Sequence, residues 1–145
     1  MFSSPQFAGT RRPATTAYRE IDASTALDGA SPHTLVSLLF AALASQIANA
    51  RGAIARRDVV EKGRAISHAV RILEEGLIAP LDLPGGGPIA LNLRDLYDYV
   101  VQQLTRANLY NDDALLTECS RLVETIRSGW DGIKDQVPTQ PARTT

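Results

Sequence analysis

Few side chains in this sequence belong to the types that acid–base, metal or nucleophilic chemistry requires. The 145 residues include two histidines, His33 and His68, and one cysteine, Cys119. Ala65 lies three residues before His68, so the Glu-x-x-His pairs of a di-iron helical bundle are absent. The sequence also has neither a phosphate-loop motif nor a GxSxG nucleophile elbow. These observations predict a protein that is not an enzyme and that holds no metal or cofactor.

His68 leaves one catalytic alternative open. It is predicted to lie in the middle of a helix, and histidine phosphotransfer domains also place one histidine on a helical bundle. The local sequence ISHAVRIL contains no lysine, so it does not match the context of Lys and small residues in which such domains expose their imidazole. Cys119 lies on a predicted apolar stripe, where a small buried side chain is expected rather than a reactive thiolate.

The charge and cysteine content exclude other classes of protein. Fifteen basic and 16 acidic side chains give a net charge of −1, and the arginines are spread from Arg11 to Arg143. A nucleic-acid binder needs a clustered surplus of Lys and Arg instead. A single cysteine forms no intramolecular disulfide, which fits a reducing compartment. The start MFSSPQF lacks the basic and apolar regions of a signal peptide, so we expect a cytoplasmic protein.

The segment from Gly29 to Ala50 contains no Asp, Glu, Lys or Arg over 22 residues. This is the length of a membrane span, but Ser37, Ser45 and Gln46 interrupt it, so membrane insertion is not expected. A helix without a charged face must be covered nearly all round. We therefore expect this helix to need further cover from a tail, another subunit or the helix of a partner protein.

The apolar spacing predicts four helices. Ser31-Pro32 supplies an N-cap and a first-turn proline for a helix that runs to about Arg56. Asp58 and Glu61 have the spacing of a capping box and begin the second helix. The third helix has Pro88 near its start, and the last begins around Asn111-Asp112, whose side chains can cap it. No segment alternates with a period of two, so no sheet is predicted.

The short links between these helices favour an all-α fold, an antiparallel up-and-down four-helix bundle. The longest link, of about nine residues, contains the triglycine Gly85-Gly86-Gly87. Composition predicts one domain between two disordered tails. The predicted parts are a tail over 1–17, the bundle domain over 18–135 with a cap segment at about 18–30, and a tail over 136–145.

Several short strings, in order, resemble the flagellin-specific secretion chaperones, the FliS family. They are Ala17-Tyr18, the run from Ala30 to Val36 with Leu38-Leu39-Phe40, the run from Asn92 to Tyr99, Ala107-Asn108 with Asn111-Asp112, and Arg127 with Trp130. Where the family commonly has Asp-Gly in the first helix, this chain has Ala41-Ala42.

The resemblance implies a cytosolic export chaperone that binds the C-terminal segment of flagellin, prevents premature polymerisation and delivers the subunit to the flagellar type III export gate. It also implies that the N-terminal segment folds over the binding groove and is displaced by cargo. For this cap we predict Tyr18 and Ile21. The apolar and aromatic residues of the first and third helices are the predicted cargo-binding set: Val36, Phe40, Leu96, Tyr97, Tyr99, Val100, Leu104 and Asn108. Two alternatives remain, a self-associating structural bundle that forms a homodimer and a phosphotransfer protein that uses His68.

Overall fold

Four helices make up the part of the chain that the computed structural model describes, residues 31–132. They are α1 (Pro32–Arg56), α2 (Val59–Arg71, continued by a π-helical segment, Ile72–Ile78), α3 (Leu83–Tyr110) and α4 (Asp113–Gly132). Within 31–132 there is no strand, and the predicted all-α four-helix fold is confirmed. Both predicted tails and the cap residues Tyr18 and Ile21 lie outside the described residues.

Local capping sets where α1 and α2 begin. The Ser31 hydroxyl accepts a hydrogen bond from the Thr34 N–H at 3.1 Å, and Asp58 accepts one from the Glu61 N–H at 3.0 Å. Only half of the predicted capping box forms, because the Glu61 carboxylate binds Arg64 instead. The Asp58 N–H donates to the Ala53 carbonyl at 2.8 Å, which ties the end of α1 to the start of α2.

Helix α3 has a break near its start. Gly87 has φ 58° and ψ −143°, a conformation that glycine adopts without a steric penalty. Regular helix therefore begins at Pro88, as predicted, but the preceding link contains a helical turn capped by Asp82. At the other end of α3, Asn111 lies in the left-handed region with φ 53° and ends this helix. Asp112 alone caps α4, accepting from the Ala114 N–H at 2.9 Å, so the predicted capping of α4 by Asn111 is wrong.

Contacts between helix ends give the predicted antiparallel order. His33 at the start of α1 stacks on Trp130 near the end of α4, and Arg51 pairs with Asp113 at the opposite end of the same two helices. The start of α2 contacts the end of α3, since the Lys62 ammonium donates to the Asn108 carbonyl. Each helix thus runs opposite to its neighbours around the bundle.

The π-helical segment at the end of α2 was not predicted. It buries Ile72, Leu73, Gly76 and Leu77 on the side that faces the bundle core. A Cβ atom on Gly76 would lie 3.1 Å from Leu39 Cδ2. The absence of a side chain at this position therefore lets α2 approach α1 closely.

Helix α1 supplies much of the core. Leu39, Phe40, Leu43 and Ile47 are buried against the other helices. By length and composition alone α1 could cross a membrane, a test that the core helix of a soluble protein also passes. Its outer face carries small uncharged residues such as Ser45 and Ala48. The large exposed apolar side chains of the described residues instead lie on α2 and α3, and the expected further cover of α1 remains a prediction.

An open core face on helix α3

One face of α3 changes from buried to exposed along its length. Ile89, Leu96, Val100 and Ala107 are spaced by seven, four and seven residues, so they lie on the same side of the helix. Val100 and Ala107 are fully buried, whereas Leu96 is 39% and Ile89 is 72% exposed. The same face is therefore covered by the other described helices near its C-terminal end and open to solvent near its N-terminal end.

A hydrogen-bond network holds Tyr99 at the edge of this open face. The Tyr99 hydroxyl donates to Glu118 Oε2 at 2.7 Å, and the Gln103 amide donates to Glu118 Oε1 at 3.1 Å. The hydrogen bond to Glu118 raises the pKa of Tyr99, and the same bond holds the pKa of Glu118 below its ordinary value. The Tyr99 side chain is thereby held between α3 and α4 while the residue stays 40% exposed, and a fixed aromatic ring with a polar end suits a binding surface.

Four of the predicted cargo-binding residues lie in the core below this surface. Phe40 and Tyr97 have ring centroids 6.5 Å apart in a tilted arrangement, and Val100 and Leu104 are fully buried beside them. Burial raises the pKa of Tyr97 to about 12. Val36 is partly buried and packs against the same core. In the described structure these five side chains support the surface rather than form it.

The remaining predicted residues lie in different places. Leu96 and Tyr99 lie on the exposed part of α3, three residues apart. Asn108 lies near the other end of α3, about 18 Å from Leu96 along the helix axis, where its carbonyl accepts from Lys62 at 2.8 Å. The structure therefore groups the predicted set into an exposed pair, a buried cluster and one distant residue.

Ile89 belongs to the exposed surface but was not among the predicted binding residues. Its heptad spacing to Leu96 is visible in the sequence, and we call Ile89, Leu96 and Tyr99 the open α3 face. Sequence periodicity identifies the core side of a helix, but it does not reveal where the neighbouring helices stop covering that side. Large apolar side chains are also exposed at the opposite end of the bundle: Val59, Val60, Leu109 and Tyr110.

The described residues offer little for catalysis. Within 31–132 no three His, Cys, Asp or Glu side chains come together as a metal site would require. Cys119 is buried, and burial raises the pKa of its thiol to about 12, so it stays protonated at neutral pH. His68 is half-buried on α2. An all-α bundle with an open apolar face is typical of a protein-binding module.

Comparison with known proteins places the chain among such modules. The family model described as "Flagellar protein FliS" matches residues 14–137. The flagellar secretion chaperone FliS of Salmonella typhimurium is 39% identical over 127 residues, which cover 88% of this chain and 94% of the relative. FliSB of Pseudomonas aeruginosa is 40% identical over 116 residues, 80% of this chain and 91% of that protein. FliS of Escherichia coli is 34% identical over 116 residues, 80% and 85% of the two chains.

The chain therefore belongs to the FliS family. This is a family of flagellar secretion chaperones and not of enzymes, and the resemblance seen in the sequence is confirmed. Membership supports a chaperone role in flagellar export and disfavours the phosphotransfer alternative for His68.

Proposed function

We propose that this protein is a cytoplasmic export chaperone that binds the C-terminal segment of flagellin. By covering that segment it would prevent premature polymerisation and deliver the subunit to the flagellar type III export gate. Family membership supports the chaperone part of this proposal. The open α3 face supports the binding of a cargo segment, because it is an apolar surface of the core type that the described helices leave uncovered.

Helix-in-groove recognition is the binding mode that fits this surface. An apolar stripe of the cargo would continue the core across Ile89 and Leu96, and Tyr99 would contribute its exposed ring. The buried residues Phe40, Tyr97, Val100 and Leu104 would form the floor beneath, with Val36 at the side. Asn108 is proposed to contact a more distant part of an extended cargo segment.

A disordered segment that folds on binding loses conformational freedom. The ordering costs roughly 2–5 kcal/mol or more and is offset by burial of about 1,000–3,000 Å². The three side chains of the open α3 face are too few to bury this area alone. We therefore propose that the cargo runs beyond them along the bundle, and that the cap residues Tyr18 and Ile21 cover part of the same surface until cargo displaces them.

Calorimetric titration of the full chain with a peptide of the host flagellin's C-terminal segment tests this proposal. We expect binding at micromolar concentration, about −8 kcal/mol, with a gain of helical signal in circular dichroism. Absence of heat and of helicity gain at tens of micromolar would contradict it.

The open α3 face could instead bind a second copy of this chain. In that case sedimentation of the free protein would show a concentration-dependent dimer, and the peptide would leave the dimer intact. A dimer that the peptide dissociates would support the chaperone proposal, since both partners would then share one surface.

A further inference from the structure

A cleft of about 350 Å³ lies at the end of the bundle where the α1–α2 and α3–α4 turns meet. Ala53, Ile54 and Val59 supply its apolar wall, and Arg57 and Lys62 bring two cationic side chains to it. Its volume is that of a small ligand-binding pocket, and apolar walls with a few placed polar groups are typical of such pockets. It lies at the opposite end of α3 from Ile89 and Leu96.

Lys62 is unusual because its buried ammonium has only uncharged partners among residues 31–132. The residue is only 7% exposed, and its ammonium donates to the Asn108 carbonyl at 2.8 Å and to the Asn111 side-chain carbonyl. Both acceptors are uncharged, and no carboxylate within 31–132 forms an ion pair with it. An ammonium has three donors, so the contacts within the described part of the chain use two of them and leave one for a ligand.

The other charged groups of the cleft leave it net positive. Arg57 ends α1 in the left-handed region with φ 61°, and its side chain is exposed at the cleft. The single acidic residue of the lining, Asp58, is already engaged: it accepts the Glu61 N–H at 3.0 Å and lies 4.0 Å from Arg56. Two cations and one occupied carboxylate favour an anionic ligand.

The chain segments that flank the cleft are apolar and exposed. Val59 and Val60 follow the α1–α2 turn, and Leu109 and Tyr110 precede the α3–α4 turn, all with more than half of their surface in solvent. Exposed apolar residues concentrated around a concave site are a mark of protein contact. A ligand that matches both the cationic cleft and its apolar flanks combines a carboxylate with adjoining apolar side chains.

We propose that the cleft binds the chain-terminal carboxylate of the cargo, with the last apolar side chains of the cargo lying on Val59, Val60, Leu109 and Tyr110. This inference rests on the proposed function, in which the cargo is a C-terminal segment. A chain end enters a small cleft end-on, whereas an internal Asp or Glu would need room for the chain to enter and leave. The carboxylate accepts from the remaining Lys62 donor and from the Arg57 guanidinium.

Two peptides test the proposal on the full chain. They have the same flagellin C-terminal sequence, one with a free terminal carboxylate and one with a terminal amide. We expect the amide to bind about tenfold more weakly or worse, because it loses a charge-assisted hydrogen bond. Equal affinities would overturn the inference and leave the proposed function standing. Equal affinities are also expected if an internal Asp or Glu of the cargo, and not its chain end, fills the cleft. Failure of both peptides to bind would overturn both.

Variants locate the carboxylate. Lys62→Gln should bring the acid-to-amide affinity ratio towards one, while Arg121→Gln on the exposed surface of α4, the matched control, should keep it. Where Lys62→Gln fails to fold, Arg57→Asn carries the test, since asparagine tolerates the left-handed region. An unchanged ratio in the folded variant would overturn the assignment of the carboxylate to this cleft.

Discussion

The imidazole of His33 stacks on the indole of Trp130 with ring centroids 4.4 Å apart and an interplanar angle of 10°. Each side chain also bonds to the other's backbone: His33 Nε2 donates to the Trp130 carbonyl at 3.1 Å, and Trp130 Nε1 donates to the His33 carbonyl at 3.3 Å. His33 thereby joins the start of α1 to the end of α4, 97 residues later in the chain.

The first prediction concerns this reciprocal contact. His33→Ala should lower the free energy of unfolding by about 1–2 kcal/mol, because it removes the stacking and one hydrogen bond. Trp130→Phe should cost a similar amount, and the double variant should cost less than the sum by about 1 kcal/mol. Urea denaturation measures all three values. Strict additivity would mean that the two side chains stabilise the protein independently.

Gly76 provides a second prediction about packing. Gly76→Ala would place a Cβ atom 3.1 Å from one terminal carbon of Leu39 and 3.2 Å from the other. Leu39 is fully buried, so it has little room to move, and we expect a loss of about 1–3 kcal/mol in the free energy of unfolding.

Gly63→Ala on the same helix is the matched control. A Cβ atom there would meet nothing within 4 Å, so it should stabilise the protein by about 0.5–1 kcal/mol through helix propensity. Thermal denaturation of both variants gives the comparison. Equal stabilisation by the two substitutions would contradict the close approach of α2 to α1.

The helix starts and the contact of Gly76 with Leu39 show what the sequence could and could not predict about the fold. The helix starts at Ser31, Asp58 and Pro88 were predictable because capping and proline preferences act over a few neighbouring residues. The close packing of Gly76 against Leu39 was not, since Leu39 lies 37 positions earlier in the chain. Periodicity reports which side of a helix faces inward and carries no information about such distant contacts.

For the candidate site, the sequence predicted the helix but not which of its residues are exposed. The sequence pointed to α3 and to its Leu96 and Tyr99, because aromatic and apolar residues recur there beyond one stripe. It did not separate Tyr97 from Tyr99, of which the first is buried and the second exposed. Residues two positions apart differ by about 200° around a helix, so Tyr97 packs against Phe40 of α1 while Tyr99 reaches the edge of α4.

A third prediction follows from the network around Glu118. The hydrogen bond from Tyr99, followed by that from Gln103, lowers the pKa of this carboxyl from its ordinary value of 4.5. A group whose folded-state pKa is lowered stabilises the fold above its unfolded pKa, and this stability is lost as the pH falls through the folded pKa. The advantage of the wild type over Glu118→Gln should therefore shrink between about pH 6 and about pH 3.

Tyr99→Phe removes the larger cause of that pKa shift and leaves the carboxyl in place. Its free energy of unfolding should depend on pH less steeply than that of the wild type over the same range. Urea denaturation at a series of pH values measures both variants. Curves parallel to the wild type would show that the Tyr99–Glu118 hydrogen bond does not persist in solution.

The last prediction tests the open α3 face against the rest of the same helix. Leu96→Asp should weaken binding of the flagellin C-terminal peptide by tenfold or more, because a carboxylate would be buried in an apolar contact. Leu91→Asp is the matched control: Leu91 is 43% exposed, close to the 39% of Leu96, but lies about 140° away around the helix. It should leave the affinity within about twofold of the wild type.

Both variants should keep the helical signal in circular dichroism, since both positions are partly exposed to water. Equal weakening by the two variants would place the cargo on another surface, and weakening by Leu91→Asp alone would place it on the opposite side of α3.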